Sequence, residues 1–401
     1  MKSLKGIKGK ISGKIVIIRL DLNVPIDKGM ITDTHRIDKI LKTLNYLINE
    51  NSKIIIISHI GRPRGKFVKD YSLKPVSNYL SKVLKFRVKF LPDNIKEYSK
   101  EKLIREYEEK ILIFENIRFY PEEETNDEKF AKNIAKLGDI YVNEAFSCSH
   151  RNHATVANIT KHLDSYAGLL FEAEVNALKK LIFKINKPVT CIIGGSKIST
   201  KIKVIENLIP KLDSLIIVGG MANNFIKYNN FNVGKSLIEK ESGEIVNRIY
   251  KKAKEHSCKL ILPIDVKVGR NEEDISVNKK LDEILESEKI LDIGDKTISK
   301  IKSILKNSKT VLWNGPAGYF ENPNFSKGSY EIAGYISKKT QKGEIYSVIG
   351  GGDTVAVINK KNLFNKFSFV STAGGAFLEF LEGKELPGIK SLNYVWIKLN
   401  C

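Results

Sequence analysis

The chain has 401 residues, of which 42% are hydrophobic and 28% are charged, and its formal net charge at pH 7 is +21. A chain of this length exceeds one ordinary hydrophobic core, so we expect two domains in a globular protein. It contains no apolar run of the roughly 18 residues that a membrane span requires. No apolar stretch of signal-peptide length follows its basic start. We therefore expect neither a membrane span nor a secretory signal.

Lysine supplies most of the positive charge, because only ten of the 67 basic residues are arginines. The lysines are spread along the chain and no basic block interleaves with aromatic residues, so nucleic-acid binding is not expected as the main function. Eight arginines lie at or before residue 151. The planar guanidinium grips carboxylate or phosphate at two points, which favours an anion site in the first half. The four scattered cysteines predict free thiols in a reducing cytoplasm.

Short apolar runs alternate with helical segments such as THRIDKILKTLNYLINEN along the whole chain. This alternation predicts an α/β fold of βαβ units with mostly parallel sheets. In such sheets, ligands bind beyond the carboxyl ends of the strands. We place the division between two halves near Ser165 to Glu174, where SYAGLLFEAEVNALKKLIF starts a long helical pattern. The candidate strands lie in KIVIIRL (14–20), KIIIISH (53–59), KILIFEN (110–116), DIYVNEAF (139–146), PVTCIIGG (188–195), SLIIVGG (214–220), KLILPIDV (259–266), TVLWNGP (310–316), EIYSVIGGGD (344–353) and FSFVSTAGG (367–375).

The candidate strands of the first half end in polar residues. The first one runs into RLDLNVP, so either this strand is half exposed or its end forms the floor of a polar site. The segment HRNHAT brings two histidines beside Arg151, and the nearby arginines favour an anion over a metal there. The polar residues at these strand ends are Asp21, Asn23, His59, Arg62, Glu115, Asn116, Arg118, Asn143 and Glu144.

Four candidate strands of the second half end in glycines. Glycines after a strand let backbone N–H groups approach a phosphate, so this pattern favours a nucleotide site. A dinucleotide oxidoreductase is disfavoured, because no G-x-G-x-x-G opens the first unit. NVGKSL contains Gly234-Lys235-Ser236, but Asn229 stands upstream where a P-loop needs its first glycine, so an ordinary turn and helix start is expected there. The glycine pairs and triplet are Gly194–Gly195, Gly219–Gly220, Gly350–Gly352 and Gly374–Gly375.

Charged residues follow two of these glycine clusters. Lys197 and Lys201 in GGSKISTK are four apart, so on a helix they would share one face, which favours phosphate contact over a solvated lysine face. Asp353 in GGGDT stands beside a predicted phosphate cradle, where a bridging Mg²⁺ would relieve the repulsion. Asp353 could also cap the helix that follows, and the two roles are compatible.

Eleven motifs follow one another along nearly the whole chain: RLDLNVP, THRI, SHIGRP, ENIRFYPEEE, NEAFSCSHRNHAT, GGSKISTK, GGMANNF, NVGKSL, WNGPAGYFE, GGGDTVA and STAGGAFLEFLEGKELPG. In sequence and in order they resemble those of phosphoglycerate kinases. The resemblance implies two Rossmann-like domains at about 1–170 and 171–381, joined by a hinge helix, with a C-terminal segment of about 382–401 packing back on the first. It implies reversible phosphoryl transfer between 1,3-bisphosphoglycerate and ADP in a cytoplasmic monomer, with closure of the hinge bringing the substrates together.

The resemblance also implies roles for residues that match the family motifs. Catalysis falls to Arg36, Lys197, Lys201 and the backbone of Gly374 and Gly375, and Asp353 would hold Mg²⁺. Residues implied to hold the phosphoglycerate are Asp21, Leu22, Asn23, Arg36, His59, Ile60, Gly61, Arg62, Arg118 and Arg151. Residues implied to hold ATP or ADP are Gly195, Lys197, Lys201, Asn314, Glu321, Gly350, Gly351, Gly352, Asp353 and Thr354.

One alternative is a non-catalytic basic binding protein on the same fold. It is disfavoured because Arg36, Lys201 and Asp353 are all present. Arg19 is expected to be structural. Ala373 stands where the family often has glycine, and a positive φ there would strain it.

Overall fold

The structure, a computed structural model, describes residues 1–183 and 185–392. It divides into two compact units. The N-terminal unit comprises Met1–Asn176 together with residues 385–392, and the C-terminal unit is Ala177–Lys384. The predicted packing of residues 393–401 on the first domain lies outside the described residues.

The N-terminal unit contains a six-stranded sheet in which every paired neighbour is parallel. The strand order is β5-β6-β4-β1-β7-β8, and β2 and β3 form a separate antiparallel pair. The strands are β1 (Ile15–Arg19), β2 (Ile26–Asp27), β3 (Met30–Ile31), β4 (Lys53–Ile57), β5 (Val88–Leu91), β6 (Ile111–Phe114), β7 (Ile140–Asn143) and β8 (Ser165–Ala167).

Apolar cores cover both faces of this sheet. Val16 and Ile18 of β1 pack in one core, whereas Ile15 and Ile17 pack in the other. Because β1 is buried on both faces, its sequence reads as a continuous apolar run. The α-helices are α1 (His35–Asn49), α2 (Lys74–Leu84), α3 (Lys100–Glu106), α4 (Pro121–Glu124), α5 (Glu128–Ala135) and α6 (Leu169–Phe183), whose residues from Ala177 onward belong to the C-terminal unit. The 3₁₀ helices are Leu4–Ile7, Lys69–Tyr71, Ile95–Glu97, Ile117–Phe119, Phe146–Cys148 and Asn158–Lys161.

The C-terminal unit contains a second six-stranded parallel sheet, with strand order β11-β10-β9-β15-β16-β17. A smaller antiparallel sheet has the order β13-β12-β14. The strands are β9 (Val189–Ile193), β10 (Ser214–Ile217), β11 (Lys259–Ile261), β12 (Asp265–Gly269), β13 (Val277–Lys280), β14 (Lys289–Ile293), β15 (Thr310–Asn314), β16 (Tyr346–Gly350) and β17 (Phe369–Val370).

Helices flank this second sheet, and its main core includes Ile192, Trp313 and Ile349 from adjacent strands. The α-helices are α7 (Ile202–Leu208), α8 (Ala222–Tyr228), α9 (Ser242–Glu255), α10 (Asp295–Asn307), α11 (Lys327–Gln341), α12 (Gly352–Lys360) and α13 (Gly375–Leu381). The last helix, α14 (Pro387–Lys390), belongs to the N-terminal unit, where Gly388 N–H donates to the Ser149 carbonyl at 2.9 Å. The 3₁₀ helices are Ile209–Lys211, Leu281–Glu283, Pro323–Phe325 and Phe364–Lys366.

Two largely parallel sheets flanked by helices confirm the predicted α/β fold class. Each of the ten apolar runs contains a strand, but KLILPIDV contributes to two sheets, because Pro263 separates β11 from β12 and lacks the N–H that would continue the ladder. The segment predicted to begin a helix at Ser165 first forms β8, and α6 begins at Leu169. No helix in the described part of the chain has the length and apolar character needed to cross a bilayer.

Candidate functional site

Polar residues of the N-terminal unit gather where its central strands end. β1 lies between β4 and β7 in the sheet, and all three run parallel. Asp21 and Asn23 therefore follow β1 next to His59, which follows β4. Asn23 Oδ1 accepts a hydrogen bond from Gly61 N–H at 2.9 Å, which joins the two loops. The polar residues of RLDLNVP thus lie at the end of a buried strand rather than along a half-exposed one.

The Asp21 carboxylate is held at three points. Its Oδ2 accepts from Arg36 Nη1 and from Ser147 Oγ, each at 2.5 Å, and its Oδ1 accepts from Asn23 N–H at 3.1 Å. The Arg36 side chain remains 35% exposed, so this arginine sits at the surface of the cluster. Ser147 was not predicted as a site residue, and a single serine 126 positions from its partner carries no sequence signal.

Arg118 lies in the 3₁₀ helix that follows β6, with its side chain only 5% exposed. Its Nη1 donates to the Gly61 carbonyl at 2.8 Å. Its Nε is buried without a hydrogen bond to the described residues, and the Glu124 carboxylate lies 3.7 Å away. Burial lowers the pKa of Arg118, and the charges of Arg19 and Arg151 lower it further. Its positive charge is therefore only weakly compensated.

Two histidines in this cluster are kept uncharged by their surroundings. Burial, together with Arg118, Arg19 and Arg151, lowers the pKa of His153 to about 3. Burial and the arginines at positions 19, 118 and 36 hold the pKa of His59 well below its usual range. The arginine charges that add to burial in keeping the two histidines neutral would also attract an anion.

Arg19 lies behind the cluster and is fully buried. Its Nε donates to Thr155 Oγ1 at 3.0 Å and its Nη1 to the Leu20 carbonyl at 2.6 Å, while Nη2 lies 3.8 Å from the Glu123 carboxylate. Glu123 also accepts from the Thr155 hydroxyl at 2.6 Å. Arg19 thus anchors the cluster from within the fold.

The other predicted residues of this unit differ in their surroundings. Leu22 is buried, and its N–H donates to Ser58 Oγ at 3.0 Å. The Ile60 carbonyl accepts from Asn116 Nδ2 at 2.7 Å. Arg62 is exposed and Arg151 is half-buried.

Two polar residues at strand ends stabilise helices. Glu115 accepts from Leu73 N–H at 2.8 Å, immediately before α2. Glu144 accepts from Leu170 N–H and Phe171 N–H at 3.0 Å each, at the start of α6. Both carboxylates are buried, which accounts for polar residues at these positions without a ligand.

In the C-terminal unit, backbone segments approach closely at the carboxyl ends of the strands. Gly194 N–H donates to the Asn314 carbonyl at 2.9 Å, and a Cβ on Gly194 would overlap the Pro316 carbonyl oxygen. Gly219 N–H donates to the Ala317 carbonyl at 3.0 Å. Only glycine fits these positions without moving the neighbouring backbone.

Lys201 is the more buried lysine of GGSKISTK, whereas Lys197 is exposed. Lys201 Nζ donates to Asn314 Oδ1, and Asn314 Nδ2 donates to the Gly350 carbonyl at 2.8 Å. Burial lowers the pKa of Lys201, and Asp353 partly opposes this effect. The expectation of two lysines on one helical face is wrong, because α7 begins at Ile202 and both lysines precede it.

The glycine triplet forms the end of β16 and the start of α12. Gly351 is the N-cap residue with φ +94°, and Thr354 Oγ1 accepts from Gly315 N–H at 2.6 Å. Asp353 is exposed in the first helical turn, and no side-chain hydrogen bond caps this helix, so the expected capping role is wrong. NVGKSL forms a turn without a helix start, since α9 begins at Ser242.

Gly374 and Gly375 stand at the start of α13. Gly374 is its N-cap residue with φ +51°, and Gly375 is its first residue. Ala373 is not among the residues with positive φ in the described chain, so replacing the family's frequent glycine introduces no such strain.

A cavity of about 530 Å³ lies within the C-terminal unit. Its volume suits a small molecule, and its lining mixes glycines, apolar side chains and a few charged groups, as is usual for ligand pockets. The lining includes Gly195, Gly219, Gly220, Ala222, Ile226, Leu237, Val266, Ile290, Glu321 and Asp353.

The two units together define a class of protein. One unit carries a cationic cluster with neutral histidines, and the other carries a glycine-lined cavity and, near its strand ends, the half-buried Lys201. These are the components of an α/β enzyme that transfers phosphoryl groups between a small anionic substrate and a nucleotide.

Comparison with known proteins specifies this class further. A family model described as phosphoglycerate kinase matches residues 7–384. The phosphoglycerate kinase of Wolbachia pipientis subsp. Culex pipiens (strain wPip) is 45% identical over 380 residues, covering 94% of this chain and 96% of the relative. That of Rhodopseudomonas palustris (strain ATCC BAA-98 / CGA009) is 44% identical over 384 residues, covering 95% and 96%.

Solved structures agree with the sequence comparisons. The structure of phosphoglycerate kinase from Coxiella burnetii has a TM-score of 0.88 at 40% identity and covers 98% of both chains. That from Pyrococcus horikoshii OT3 has a TM-score of 0.82 at 28% identity with the same coverage. The chain belongs to the phosphoglycerate kinase family and is a glycolytic kinase; nothing in the comparisons favours the non-catalytic alternative.

Proposed function

We propose that the chain transfers a phosphoryl group reversibly between 1,3-bisphosphoglycerate and ADP, giving 3-phosphoglycerate and ATP. In this proposal the N-terminal unit holds the phosphoglycerate and the C-terminal unit holds the nucleotide. The single observation that carries it is the cationic cluster around Asp21 and Arg118, in which two buried histidines stay neutral. A cluster of positive charges of this kind binds an anionic ligand more favourably than a neutral or cationic one.

The arginines supply the charge that phosphoglycerate requires. Arg118 has a buried guanidinium with a spare donor, and Arg62 and Arg151 add charge at the rim. We assign the glycerate hydroxyl to Asp21 and Asn23, whose side-chain oxygens lie at the carboxyl end of β1. His59 and the Leu22 and Ile60–Gly61 backbone complete this proposed site.

The nucleotide is assigned to the glycine-lined cavity. The Gly350–Gly352 backbone, Gly195 and Thr354 are proposed to receive phosphates, with Lys197 and Lys201 adding charge. Glu321, which lines the cavity, is assigned to the ribose. Asn314 hydrogen-bonds to both Lys201 and Gly350, so it is proposed to hold this arrangement in place as well as to contact the nucleotide.

Mg²⁺ is proposed to bind together with ATP or ADP, with Asp353 as its protein ligand. The described residues contain no group of three or more His, Cys, Asp or Glu side chains able to hold a metal ion. One exposed carboxylate beside a phosphate cradle suits Mg²⁺, which often takes one or two carboxylates plus phosphate oxygens and waters. When bound, the ion would neutralise phosphate charge.

Phosphoryl transfer depends mainly on in-line positioning and on neutralising the equatorial oxygens. Arg36 and Lys201 are the proposed stabilisers of that charge, with Lys197 in support. The backbone N–H groups of Gly374 and Gly375, at the start of α13, are further donors. The protein itself forms no covalent intermediate in this scheme.

A coupled assay of 3-phosphoglycerate-dependent ATP consumption with Mg²⁺ tests the proposal. Arg36→Ala should lower kcat about 10²-fold or more. Arg87→Ala, which removes an arginine with a 78% exposed side chain, is the matched control and should leave turnover unchanged. Turnover that survives in Arg36→Ala would overturn the assignment of charge stabilisation to Arg36.

Absence of turnover in the folded, Mg²⁺-supplied protein would overturn the proposed reaction. A salt-dependent titration with nucleic acid would then test the basic binding protein.

We further propose a cytoplasmic monomer that uses neither nucleic acid nor a membrane as partner. Cys148, Cys191 and Cys258 are free and buried thiols, which supports a reducing compartment. Sedimentation at micromolar concentration tests the monomer, and a concentration-dependent dimer would contradict it.

A further inference from the structure

Arg19 and His59 meet behind the cationic cluster of the N-terminal unit. Arg19 is the last residue of β1 and pairs with Ile57 of β4, so His59 lies two residues beyond that register position. Arg19 Nη2 lies 3.3 Å from His59 Nδ1. Both side chains are buried. The contact is therefore set by neighbouring strands rather than by mobile surface groups.

The guanidinium is itself held in place. Its Nε and Nη1 donate to Thr155 Oγ1 and to the Leu20 carbonyl, at 3.0 and 2.6 Å. With these two nitrogens engaged, Nη2 faces the histidine ring and the Glu123 carboxylate. Arg19 cannot rotate away from His59 without losing both anchoring hydrogen bonds.

A guanidinium has five N–H donors and no acceptor. A hydrogen bond between Arg19 Nη2 and His59 Nδ1 therefore requires that Nδ1 is the acceptor and carries no proton. The proton of the neutral ring must then reside on Nε2. A proton on His59 Nδ1 would instead place its N–H group against the N–H group of Arg19 Nη2, and no hydrogen bond could form.

We infer that Arg19 is a positioning residue that fixes His59 as the neutral Nε2–H tautomer, so that His59 offers an uncharged N–H donor to the bound phosphoglycerate. The identity of the ligand rests on the proposed function. Arg19 would thus act on the substrate through the ring of His59.

The charged surroundings favour the same neutral state. The groups that act on His59 are Arg19 on β1, Arg36 on α1, Arg118 after β6 and His153 after β7. Burial opposes a positive charge on the ring most strongly, and the three arginines oppose it as well, whereas His153 is itself neutral. A fixed tautomer matters here because the other neutral tautomer would aim a lone pair at an anionic oxygen.

Nitrogen NMR of the full chain labelled with ¹⁵N-histidine tests the inference without any substrate. The His59 signals are assigned by their loss in His59→Gln. We expect Nδ1 to show the shift of an unprotonated ring nitrogen and Nε2 that of an N–H nitrogen, from about pH 5 to about pH 8. A proton on Nδ1, an even mixture of tautomers, or titration of the ring within this range would overturn the inference.

Arg19→Lys separates positioning from mere packing. It keeps a buried positive charge near Glu123 but lacks the planar fork, so we expect the tautomer preference of His59 to weaken. An unchanged NMR signature in a folded Arg19→Lys protein would overturn the role of Arg19. If this variant does not fold, the wild-type spectrum still decides the tautomer.

Two variants of His59 test the donor itself. The amide nitrogen of His59→Gln reaches roughly the position of Nε2, whereas the shorter side chain of His59→Asn reaches only that of Nδ1. We expect kcat/KM for 3-phosphoglycerate to be about 10- to 100-fold lower in His59→Asn than in His59→Gln, the loss of one hydrogen bond to a charged group. Equal values would overturn the donor role. Absence of turnover in the wild-type protein would refute the proposed reaction. The NMR measurement uses no substrate, so it would still decide the tautomer of His59 independently.

Discussion

The stability of the N-terminal unit should fall as the pH rises through about 7, because of Glu144. This carboxyl is fully buried and accepts hydrogen bonds from Leu170 N–H, Phe171 N–H and the Thr43 hydroxyl. Burial raises its pKa from 4.5 to about 7, and the three hydrogen bonds offset this rise only in part. The fold therefore holds the proton on Glu144 more tightly than the unfolded chain does.

The size of the effect follows from that difference in pKa. A difference of one in pKa corresponds to about 1.4 kcal/mol, so the rise in the pKa of Glu144 contributes about 3 kcal/mol in full. A raised pKa stabilises the fold below the unfolded value of 4.5 and loses this contribution as the pH rises through the folded value of about 7. Between about pH 5 and about pH 8.5, the change is about 2 to 3 kcal/mol.

Urea unfolding of wild type and Glu144→Gln at several pH values measures this contribution. The glutamine cannot ionise, so the difference in free energy of unfolding between the two proteins should favour wild type most at low pH. Asp292 in the C-terminal unit has a pKa raised to about 7 by burial, so both proteins share its pH dependence. A difference that stays constant from about pH 5 to about pH 8.5 would refute the reasoning.

Thr43 provides a second test of the same carboxyl. Its hydroxyl bond to Glu144 lowers the pKa of that group, so Thr43→Val should raise the pKa and enlarge the pH-dependent difference. Thr43→Ser retains the hydroxyl and is the matched control. If Thr43→Val instead reduced the pH dependence of the free energy of unfolding, the hydrogen bond from Thr43 would not stabilise the ionised form of Glu144.

Three further predictions concern the proposed sites. Ser147→Ala removes one donor to Asp21 and should raise KM for 3-phosphoglycerate about 3- to 10-fold in steady-state assays; an unchanged KM would contradict a role in holding Asp21. Gly194→Ala would drive a Cβ into the Pro316 carbonyl and should destabilise the C-terminal unit by about 1 to 3 kcal/mol in urea unfolding, whereas wild-type stability would show that the backbone can yield. Asp353→Asn should raise the Mg²⁺ concentration for half-maximal activity about tenfold, and an unchanged Mg²⁺ titration would exclude Asp353 as its ligand.

The main sheets could be predicted because their strands are buried on both faces. β1 and β9 read as continuous apolar runs for this reason. The antiparallel sheet was missed because β13 consists of VNKK, largely exposed and without a clear alternation. β8 is only three residues long and was assigned to the helix that follows it. Burial on both faces leaves a sequence signal, whereas short or exposed strands depend on partners distant in the chain.

In the candidate site, too, some residues could be predicted from the sequence and others could not. Motif resemblance pointed to residues such as Asp21 and Lys201, but their partners Ser147 and Asn314 depend on contacts across more than 100 positions. Asn314 was expected to contact nucleotide, and its hydrogen bond to Lys201 could not be inferred from spacing. The four-residue spacing of Lys197 and Lys201 predicts a shared face only if both lie on a helix, and spacing alone cannot show that α7 begins at Ile202. Such details depend on the loops, whose conformations are set by the tertiary fold.

The partners of the arginines separate those that stabilise the fold from those left for the substrate. Arg19 is fully buried, its Nε and Nη1 are hydrogen-bonded, and the buried Glu123 carboxylate lies 3.8 Å from its Nη2, so its donors are engaged within the protein. Arg36 bonds to Asp21 yet stays 35% exposed, so a ligand can compete for it. Arg118 is buried with an unbonded Nε, and its closest carboxylate is 3.7 Å away. Because Arg118 is buried with only a long ion pair to the partly exposed Glu124, binding of an anion there would recover free energy that folding alone does not.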